Sequence, residues 1–272
     1  MTEWGQFMSI KLYWSLGSGR DNPSRRNFGD YLSPLIVETV SGKRVEYAPL
    51  SRADLMAIGT ILIRERKARF LGFKRKIHVW GSGCGHEDES FSGRHYYHAV
   101  RGAETLRRIE GNVGPVALGD PGLLAPLLLK KVVAKRYKIG FIPHYVDKSL
   151  PAVVDFIEKN KEVHFIDVHK PPIQVIEEIA ACEFVISSSM HGLIVADAFK
   201  VPNVRVKLSA RIKSELKYDD YYSAFGISQP KPIEANALED ITKNIILCFE
   251  NYSRPNFDSV VSGLLKSFPA SL

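Results

Sequence analysis

The sequence predicts an α/β protein made of two Rossmann-like halves that face each other across a cleft. Strand-like and helix-like runs alternate along the 272 residues, which is the pattern of βαβ units. Several strand-like runs end in loops rich in glycine and small polar residues, as strands do at the ligand-binding edge of an α/β sheet. The alternation starts afresh near residue 135. We therefore expect an N-terminal half at residues 1–134 and a C-terminal half at residues 135–272.

In the N-terminal half, an opening strand leads into a loop rich in Gly, Ser, Asn and Arg, and a helix follows. Asp30 is a favoured N-cap residue for this helix and Gly42 a stop signal. Residues 54–64 are compatible with a helix together with a strand. Strands are predicted at residues 10–14, 45–47, 77–80, 95–100 and 116–118, and helices at residues 31–40 and 103–109.

In the C-terminal half the same alternation returns after a basic stretch. Pro171 and Pro172 suit the first turn of a helix, where proline's missing N–H is not needed. Strands are predicted at residues 138–142, 163–168, 184–186 and 204–206, and helices at residues 152–160, 173–181, 215–225, 235–252 and 257–268. The C-terminal limit of this half is not fixed by the sequence, because the last helices can pack back across the N-terminal half.

The composition indicates an ordinary globular protein from a reducing compartment. Hydrophobic residues make up 45% and charged residues 25% of the chain, so disorder is not expected. The spacing of Cys84, Cys182 and Cys248 fits neither a disulfide framework nor a zinc site. No apolar run reaches the roughly 18 residues of a membrane span, and the N-terminus does not read as a signal peptide. We expect a cytoplasmic location.

A net charge of +7 permits several kinds of anionic partner. The charge is spread, with local concentrations at residues 64–69, 74–76 and 130–138. Solvated basic faces are the first interpretation. A peripheral contact with an anionic surface, at the inner face of the membrane, is the alternative. No motif supports nucleic-acid binding.

The segment from Ser187 to Leu193 lies between a strand-like run and a helix that starts near His191. A histidine at such a junction lies at the carboxyl end of a strand, beside N–H groups that no intrahelical bond satisfies. An anionic substrate and a proton-transfer group can meet there. A histidine that only packs at the helix start is the alternative. The Gly-x-Ser-x-Gly elbow is absent, so the serines are expected to bind a ligand or cap the helix.

Other polar residues stand at similar junctions. His144 ends a strand of the C-terminal half, and Arg101 joins a strand to a helix, where a guanidinium can bind phosphate or carboxylate. Lys213 and Lys217 are i,i+4 neighbours on one helix face. For Arg101 a surface salt bridge, and for the lysines a solvated face, remain alternatives. The histidine spacings do not resemble a metal-binding motif.

Two glycine-containing segments complete the candidates. Asn27, Gly29 and Asp30 precede a helix, where Asp30 either caps the helix or faces a ligand such as a sugar hydroxyl. Residues 81–83 (Gly-Ser-Gly) resemble half of a dinucleotide fingerprint but lack the third glycine. We expect them to form a tight turn with exposed N–H groups at the floor of the cleft.

Taken in order, these segments resemble the polysaccharide pyruvyl transferase family, from about residue 10 to residue 225. Each is short, but the ordered set is specific. The matching segments are Asn27-Phe28-Gly29-Asp30-Tyr31-Leu32-Ser33-Pro34, Val79-Trp80-Gly81-Ser82-Gly83, Arg101-Gly102-Ala103-Glu104-Thr105, Gly119-Asp120-Pro121, Gly140-Phe141-Ile142-Pro143-His144-Tyr145 and Val185-Ile186-Ser187-Ser188-Ser189-Met190-His191-Gly192-Leu193-Ile194-Val195-Ala196-Asp197-Ala198.

The resemblance implies a fold similar to that of GT-B glycosyltransferases, and it also implies a reaction. The family adds a pyruvate ketal to a sugar of a cell-surface polysaccharide, with phosphoenolpyruvate (PEP) as co-substrate and no cofactor or metal. The resemblance places the family's histidine on His191 and its basic PEP-binding residue on Lys217, with Arg211 and Lys213 as rivals. Met190 departs from the Arg-Leu-His form of many members. The arginine contact to the donor is then expected to be missing or to come from Arg101 or Arg205.

Combined with the residue chemistry, the resemblance gives each candidate a role. His191 is the general acid/base, since a histidine titrates near neutral pH. His144, Ser189, Lys217 and Arg101 are expected to hold the donor. Asp30, Asn27 and Gly29 are expected to orient the acceptor glycan, either a polymer or a lipid-linked oligosaccharide. The alternatives are a GT-B glycosyltransferase that uses a nucleotide sugar and a non-catalytic carbohydrate-binding or membrane-docking protein.

Overall fold

The computed structural model describes residues 9–17, 27–72, 75–210, 214–234 and 252–272, without the side chains of Lys67 and Arg69. Its N-terminal part contains a six-stranded sheet. The strands are β1 (Ile10–Tyr13), β2 (Val45–Tyr47), β3 (Leu55–Met56), β4 (His78–Trp80), β5 (Tyr96–Val100) and β6 (Ala117–Leu118). The helices are α1 (Phe28–Ser41), α2 (Leu62–Phe70), α3 (Ala103–Arg107) and a 3₁₀ helix (Pro121–Leu128).

The rest of the described chain contains a second, five-stranded sheet. Its strands are β7 (Tyr137–Ile142), β8 (Val163–Phe165), β9 (Cys182–Ser187), β10 (Asn203–Lys207) and β11 (Ile233–Glu234). Its helices are α4 (Pro151–Lys159), α5 (Pro172–Ala180), α6 (Met190–Ala198) and α7 (Leu216–Ser223), and α8 (Phe257–Lys266) closes the chain. The predicted helix at residues 235–252 lies outside the described residues, apart from Tyr252.

Both sheets are parallel and have the same strand order. The first runs β2-β1-β3-β4-β5-β6, and the second, read in the same sense, runs β8-β7-β9-β10-β11. In this doubly wound order the chain direction across the sheet reverses between the first and third strands, and ligands bind at that switch point, beyond the carboxyl ends of the strands. The α/β prediction with its alternating elements is therefore confirmed. The division at residue 134/135 stays a prediction.

The start of α1 differs from the prediction. The helix begins at Phe28, and the side chain of Asn27 caps it by accepting a hydrogen bond from the Gly29 N–H at 3.2 Å. The prediction of Asp30 as the N-cap was therefore wrong, and Asp30 lies in the first turn of the helix instead. Gly42 ends the helix with a left-handed φ of 67°, as its sequence position indicated.

The Gly-Ser-Gly turn after β4 also differs from the prediction. Its N–H groups are not exposed, because Gly81 donates to Ala99 O and Gly83 to Gly59 O. The glycines are needed for close packing instead. A Cβ atom on Gly81 would overlap Pro121, and one on Gly83 would overlap the guanidinium of Arg101. Sequence reasoning recognised the turn and misjudged its environment, which is buried.

A buried ion pair joins the first sheet to α7. Arg101, just after β5, donates from Nε to Asp220 at 2.9 Å, and both side chains are buried. The same carboxylate accepts from the backbone N–H and the hydroxyl of Thr105, each at 2.7 Å. Gly102 permits this approach, since a Cβ atom there would overlap the Asp220 carbonyl. The position of α7 is thus fixed against the first sheet.

The C-terminal helix packs against the same sheet. The indole of Trp80 donates to the carbonyl of Leu264 in α8 at 3.0 Å, and its ring meets Phe268 edge to face. Val260 and Leu264 border Gly119, where no side chain intervenes. None of the helices that the structure describes is both long and apolar enough to cross a membrane.

Arg101→Met should destabilise the fold, because it leaves the Asp220 carboxylate buried without its cation. Removal of one partner of a buried ion pair costs about 3–5 kcal/mol in the free energy of unfolding. Arg107→Met is the matched control. Arg107 belongs to an i,i+3 pair with Glu104 and 64% of its side chain is exposed, so a loss below about 1 kcal/mol is expected. Urea unfolding measures both. Equal stabilities of the two variants would contradict the role of the pair.

Candidate functional site

The switch points of both sheets open into one cavity of about 200 Å³. From the first sheet, Ser15 follows β1 and the stretch from Gly59 to Ile61 follows β3. From the second, His144 follows β7 and the stretch from Ser189 to His191 follows β9. Among the described residues, the lining consists of Ser15, Asn27, Asp30, Gly59, Thr60, Ile61, Arg64, His144, Ser189, Met190, His191 and Lys217. Open α/β sheets bind ligands at such points, so this cavity is the candidate site.

His191 lies in the first turn of α6, and 14% of its side chain is exposed. Its ring meets Phe28 edge to face at 6.5 Å between centroids. Gly29 lies against the Nδ1 edge, where a Cβ atom would overlap the ring. Burial, reinforced by the positive charges of Arg101 and Lys217, lowers the pKa of His191 to about 3. The imidazole of the free protein is therefore neutral at physiological pH and a weaker base than the near-neutral titration expected from its residue type.

The three serines before His191 have separate tasks. Ser187 closes the turn, because its hydroxyl donates to Ile142 O and accepts from the Ser189 N–H. The Ser188 hydroxyl accepts from the His144 N–H at 2.8 Å and so joins the ends of β7 and β9. Ser189 occupies the N-cap position of α6, but its side chain makes no capping bond. Its hydroxyl and the first N–H groups of the helix are available to a ligand.

Lys217 and Arg64 are cationic side chains that line the cavity, and Asp30 is the single carboxyl among the described lining residues. Lys217, on α7, forms no ion pair with the part of the chain that the structure describes, and its ammonium lies 4.9 Å from the centroid of the Tyr218 ring. Burial, together with the charges of Arg101 and Arg205, lowers its pKa to about 8. Arg64 lines the cavity from α2. Burial and Lys217 also lower the pKa of His144 to about 4. These shifts indicate a site prepared for negative charge.

The N-terminus of α1 forms the opposite wall with Asn27 and Asp30. Burial raises the pKa of Asp30 to about 7, although a hydrogen bond with Ser15 lowers it in part. At neutral pH this carboxyl is present in both protonation states. It can donate a hydrogen bond to a hydroxyl or accept one from it, which suits a sugar ligand.

The arrangement can bind a small anion and move a proton. Two helix N-termini and the Lys217 ammonium offer positive potential, and two neutral imidazoles offer proton acceptors. Among the residues described, no group of three or more His, Cys, Asp or Glu side chains is placed to hold a metal ion.

Comparison with known families decides the classification. The sequence profile of the polysaccharide pyruvyl transferases matches residues 27–209, which is more than half of the chain. The chain belongs to the polysaccharide pyruvyl transferase family. The matched range contains the described cavity lining except Ser15, which follows β1, and Lys217 on α7.

Two relatives illustrate the range of the family resemblance. The succinoglycan biosynthesis protein ExoV of Rhizobium meliloti (strain 1021) is 30% identical over 223 residues, which cover 79% of this chain and 65% of ExoV. An uncharacterized protein of Acanthamoeba polyphaga mimivirus is 31% identical over 140 residues, covering 48% of this chain and 49% of that protein. The chain thus matches about half of one relative and just under two thirds of the other.

Most residues that the sequence singled out for this family site lie together. His191, His144, Lys217, Ser189, Asn27 and Asp30 line the cavity, and Gly29 borders the His191 ring. Their assigned roles as donor or acceptor ligands stay predictions.

Arg101 and Arg205 do not line the cavity. Arg101 lies behind its wall, where it donates to Asp220, to the Thr60 hydroxyl and to the Cys84 carbonyl. Arg205 stacks on the Tyr218 ring at 3.6 Å and pairs with Glu215. Both influence the site through their charge, which lowers the pKa of Lys217. The rivals Arg211 and Lys213 lie outside the described residues.

Sequence reasoning missed several residues of the site. Ser15, Thr60 and Arg64 line the cavity, and Asp120 approaches His191 to 4.0 Å from behind. The first two follow strands β1 and β3, and β3 is only two residues long, too short for its pattern to be read. Asp120 stood in a family-like segment, directly after a strand, but nothing local distinguished it from a capping residue.

Asp30→Asn should change how stability depends on pH. The pKa of Asp30 is higher in the folded protein than its ordinary 3.8, so the folded state favours the protonated form. The stability of the folded protein is therefore undiminished by this carboxyl below about pH 4, and it falls as the pH rises toward about 7 and the buried carboxyl ionises. Asparagine resembles the protonated form, so the variant's advantage should grow to about 2–4 kcal/mol at pH 8, at about 1.4 kcal/mol per pKa unit.

Urea unfolding at pH 4, 6 and 8 measures this advantage. Asp258→Asn is the control, because Asp258 also lies in the first turn of a helix but 87% of its side chain is exposed. An Asp30→Asn difference that does not vary with pH would show that the carboxyl is not destabilised when ionised.

Proposed function

We propose that this protein is a ketal-pyruvyltransferase, which moves the pyruvyl group of PEP onto two hydroxyls of one sugar and releases phosphate. The sugar belongs to a cell-surface polysaccharide or to its lipid-linked precursor. Membership of the family supports the reaction type, and the similarity to ExoV, a succinoglycan biosynthesis protein, supports polysaccharide biosynthesis as the setting. Cytoplasmic location, PEP as the donor, the GT-B-like cleft and a peripheral membrane contact belong to the proposal as well.

The proposal rests on one observation: the cationic side chains of Lys217 and Arg64 line the same cavity as two neutral imidazoles. PEP bears a phosphate and a carboxylate, so its site needs cations and N–H donors close together. The Lys217 ammonium, the Arg64 guanidinium and the open N-terminus of α6 provide them. Binding of these anionic groups offsets the desolvation that lowers the pKa of Lys217.

The size of the cavity favours PEP over a nucleotide sugar. Its volume of about 200 Å³ is below the roughly 300–1,000 Å³ typical of drug-sized ligands. A three-carbon donor with a phosphate fits such a volume, whereas a nucleoside diphosphate sugar needs an extended groove. The glycosyltransferase alternative is therefore an outcome to be tested and not a second proposal.

The proposed chemistry uses His191 for proton transfer. The carbon C3 of PEP gains a proton, C2 becomes an oxocarbenium-like centre, and an acceptor hydroxyl adds to C2 while losing its proton. The C2–O bond to phosphate then breaks, a second hydroxyl of the same sugar closes the ketal, and its proton leaves with the phosphate. The proton that C3 gains is the one that the first hydroxyl loses: neutral His191 accepts it and, as imidazolium, delivers it to C3. His144 is a second candidate for these transfers.

The acceptor lies on the side of α1 in this proposal. Asp30 and Asn27 present oxygen and nitrogen atoms to the cavity at the helix N-terminus. Sugar hydroxyls need partners that both donate and accept, and a carboxyl with a pKa near 7 does both at neutral pH. Gly29 keeps this wall close to His191, so that the acceptor hydroxyl and the imidazole meet.

Phosphate release from PEP, measured with a panel of acceptor glycans and lipid-linked oligosaccharides, tests the proposal. Mass spectrometry of the acceptor should show the added pyruvate ketal. His191→Ala should lower the rate about 10²- to 10⁴-fold, the usual contribution of a general acid/base. His86→Ala, at an exposed position, should leave it unchanged. Nucleotide release from a nucleotide sugar, or acceptor binding without phosphate release, would favour the alternative functions.

Lys217→Met should raise the KM for PEP about tenfold or more, with a smaller change in kcat. It removes a charge-assisted contact, which is worth about 1.5–3 kcal/mol. In the wild type, KM should also rise as the pH passes about 8 and the ammonium loses its proton, and the variant should lack this dependence. Lys266→Met, in the exposed last turn of α8, is the control. An unchanged KM would remove Lys217 from the donor site.

A further inference from the structure

Asp120 carries a carboxylate oxygen that its local role does not explain. The residue follows β6, is fully buried, and caps the 3₁₀ helix, with Oδ1 accepting from the Gly122 N–H at 2.8 Å. Its Oδ2 has no hydrogen-bond partner among the residues the structure describes. Asparagine or serine would cap the helix as well without a buried charge. Burial raises the pKa of Asp120 to about 6, which still leaves it largely ionised at neutral pH.

The unpartnered Oδ2 faces a second unpartnered atom. His191 Nε2 is buried, likewise has no hydrogen-bond partner in the described chain, and lies 4.0 Å from Asp120 Oδ2. Buried polar atoms are nearly always hydrogen-bonded, so two that face each other call for an explanation. The separation exceeds a hydrogen bond by about 1 Å, so the bond that we infer requires a small rotation of one of the two side chains.

The packing of the two helices creates this approach. The 3₁₀ helix lies against α6 because Gly122 has no side chain; a Cβ atom there would approach Ile194 to 2.9 Å and Asp120 Oδ1 to 3.1 Å. On the other side of the imidazole, the backbone of Gly29 lies against the Nδ1 edge, where a Cβ atom would overlap the ring. The ring is therefore held with Nε2 toward Asp120 and Nδ1 toward the α1 wall of the cavity.

We propose that Asp120 is a positioning residue for His191. It keeps the proton of the neutral imidazole on Nε2, so that Nδ1 presents a lone pair to the cavity, and it stabilises the imidazolium formed during turnover. The second part rests on the proposed pyruvyl transfer, and the first part does not.

The charges around His191 show why such a residue is needed. Arg101 after β5, Lys217 on α7 and His144 after β7 all disfavour the imidazolium. Asp30 lines the cavity from α1 and Asp120 approaches the ring from the start of the 3₁₀ helix, and Asp30 is protonated about half of the time near pH 7. Asp120 is the more ionised of these two carboxyls at neutral pH. When the hydroxyl O–H bond breaks and its proton forms an Nδ1–H bond, the oxygen electron pair bonds to PEP C2, and Asp120 offsets the new charge.

The tautomer can be measured in the free protein, without PEP or an acceptor. Long-range ¹H–¹⁵N NMR of protein labelled at the histidine rings should show His191, identified by comparison with His191→Gln, protonated on Nε2. In Asp120→Asn the helix cap is retained but the carboxylate is lost, so the signal should shift toward the Nδ1–H form or a mixture. An Nδ1–H tautomer in the wild type would overturn the proposal, whether or not the variant folds.

Kinetics separate a positioning role from a structural one. Asp120→Asn should lower kcat about 100-fold or more, as loss of a correctly held base does, while the KM for PEP changes less than about threefold. Asp120 does not line the cavity, which is why donor binding should persist. Phosphate release at the wild-type rate by Asp120→Asn would overturn the proposal alone. The expected tautomer shift without any PEP turnover in the wild type would instead overturn the proposed function.

Discussion

The buried carboxylate of Asp220 is the contact on which the rest of the site depends. It accepts hydrogen bonds from Arg101 and from both the N–H and the hydroxyl of Thr105. One residue of α7 is thus bound to the end of β5 and to helix α3, which follows it. Lys217 lies one helical turn before Asp220 and shares its face of α7. Anchoring Asp220 therefore places the Lys217 ammonium against the first sheet's switch point, although the lysine belongs to the other half of the chain.

The site combines titratable groups whose charged forms are disfavoured by their buried surroundings. Burial lowers the pKa of His191 and Lys217 and raises that of Asp30. Each shift costs folding free energy at some pH, and such costs persist where function requires them. An anionic donor would favour the protonated forms of His191 and Lys217. In the proposed reaction, binding of the anionic donor and proton transfer are therefore coupled.

Much of the fold and the location of the site could be read from local sequence. Alternating runs predicted the parallel strands, and the junction before His191 predicted a ligand-binding edge, because a buried strand and a helix start are both local patterns. His144 was found by the same logic at the end of β7. The two-residue strand β3 gave no readable pattern, so Thr60, which follows it and lines the cavity, was missed.

The sequence alone thus determined the strand-and-helix succession, the family-like order of its segments and the histidine at the end of β9. The tertiary structure decided which charged side chains line the cavity. Arg101 was expected in the cavity but is held behind its wall by Asp220, 119 residues away in the chain. Asp120 approaches His191 only because the 3₁₀ helix packs on α6. Both contacts join segments distant in sequence, and their geometry follows from packing that no local pattern encodes.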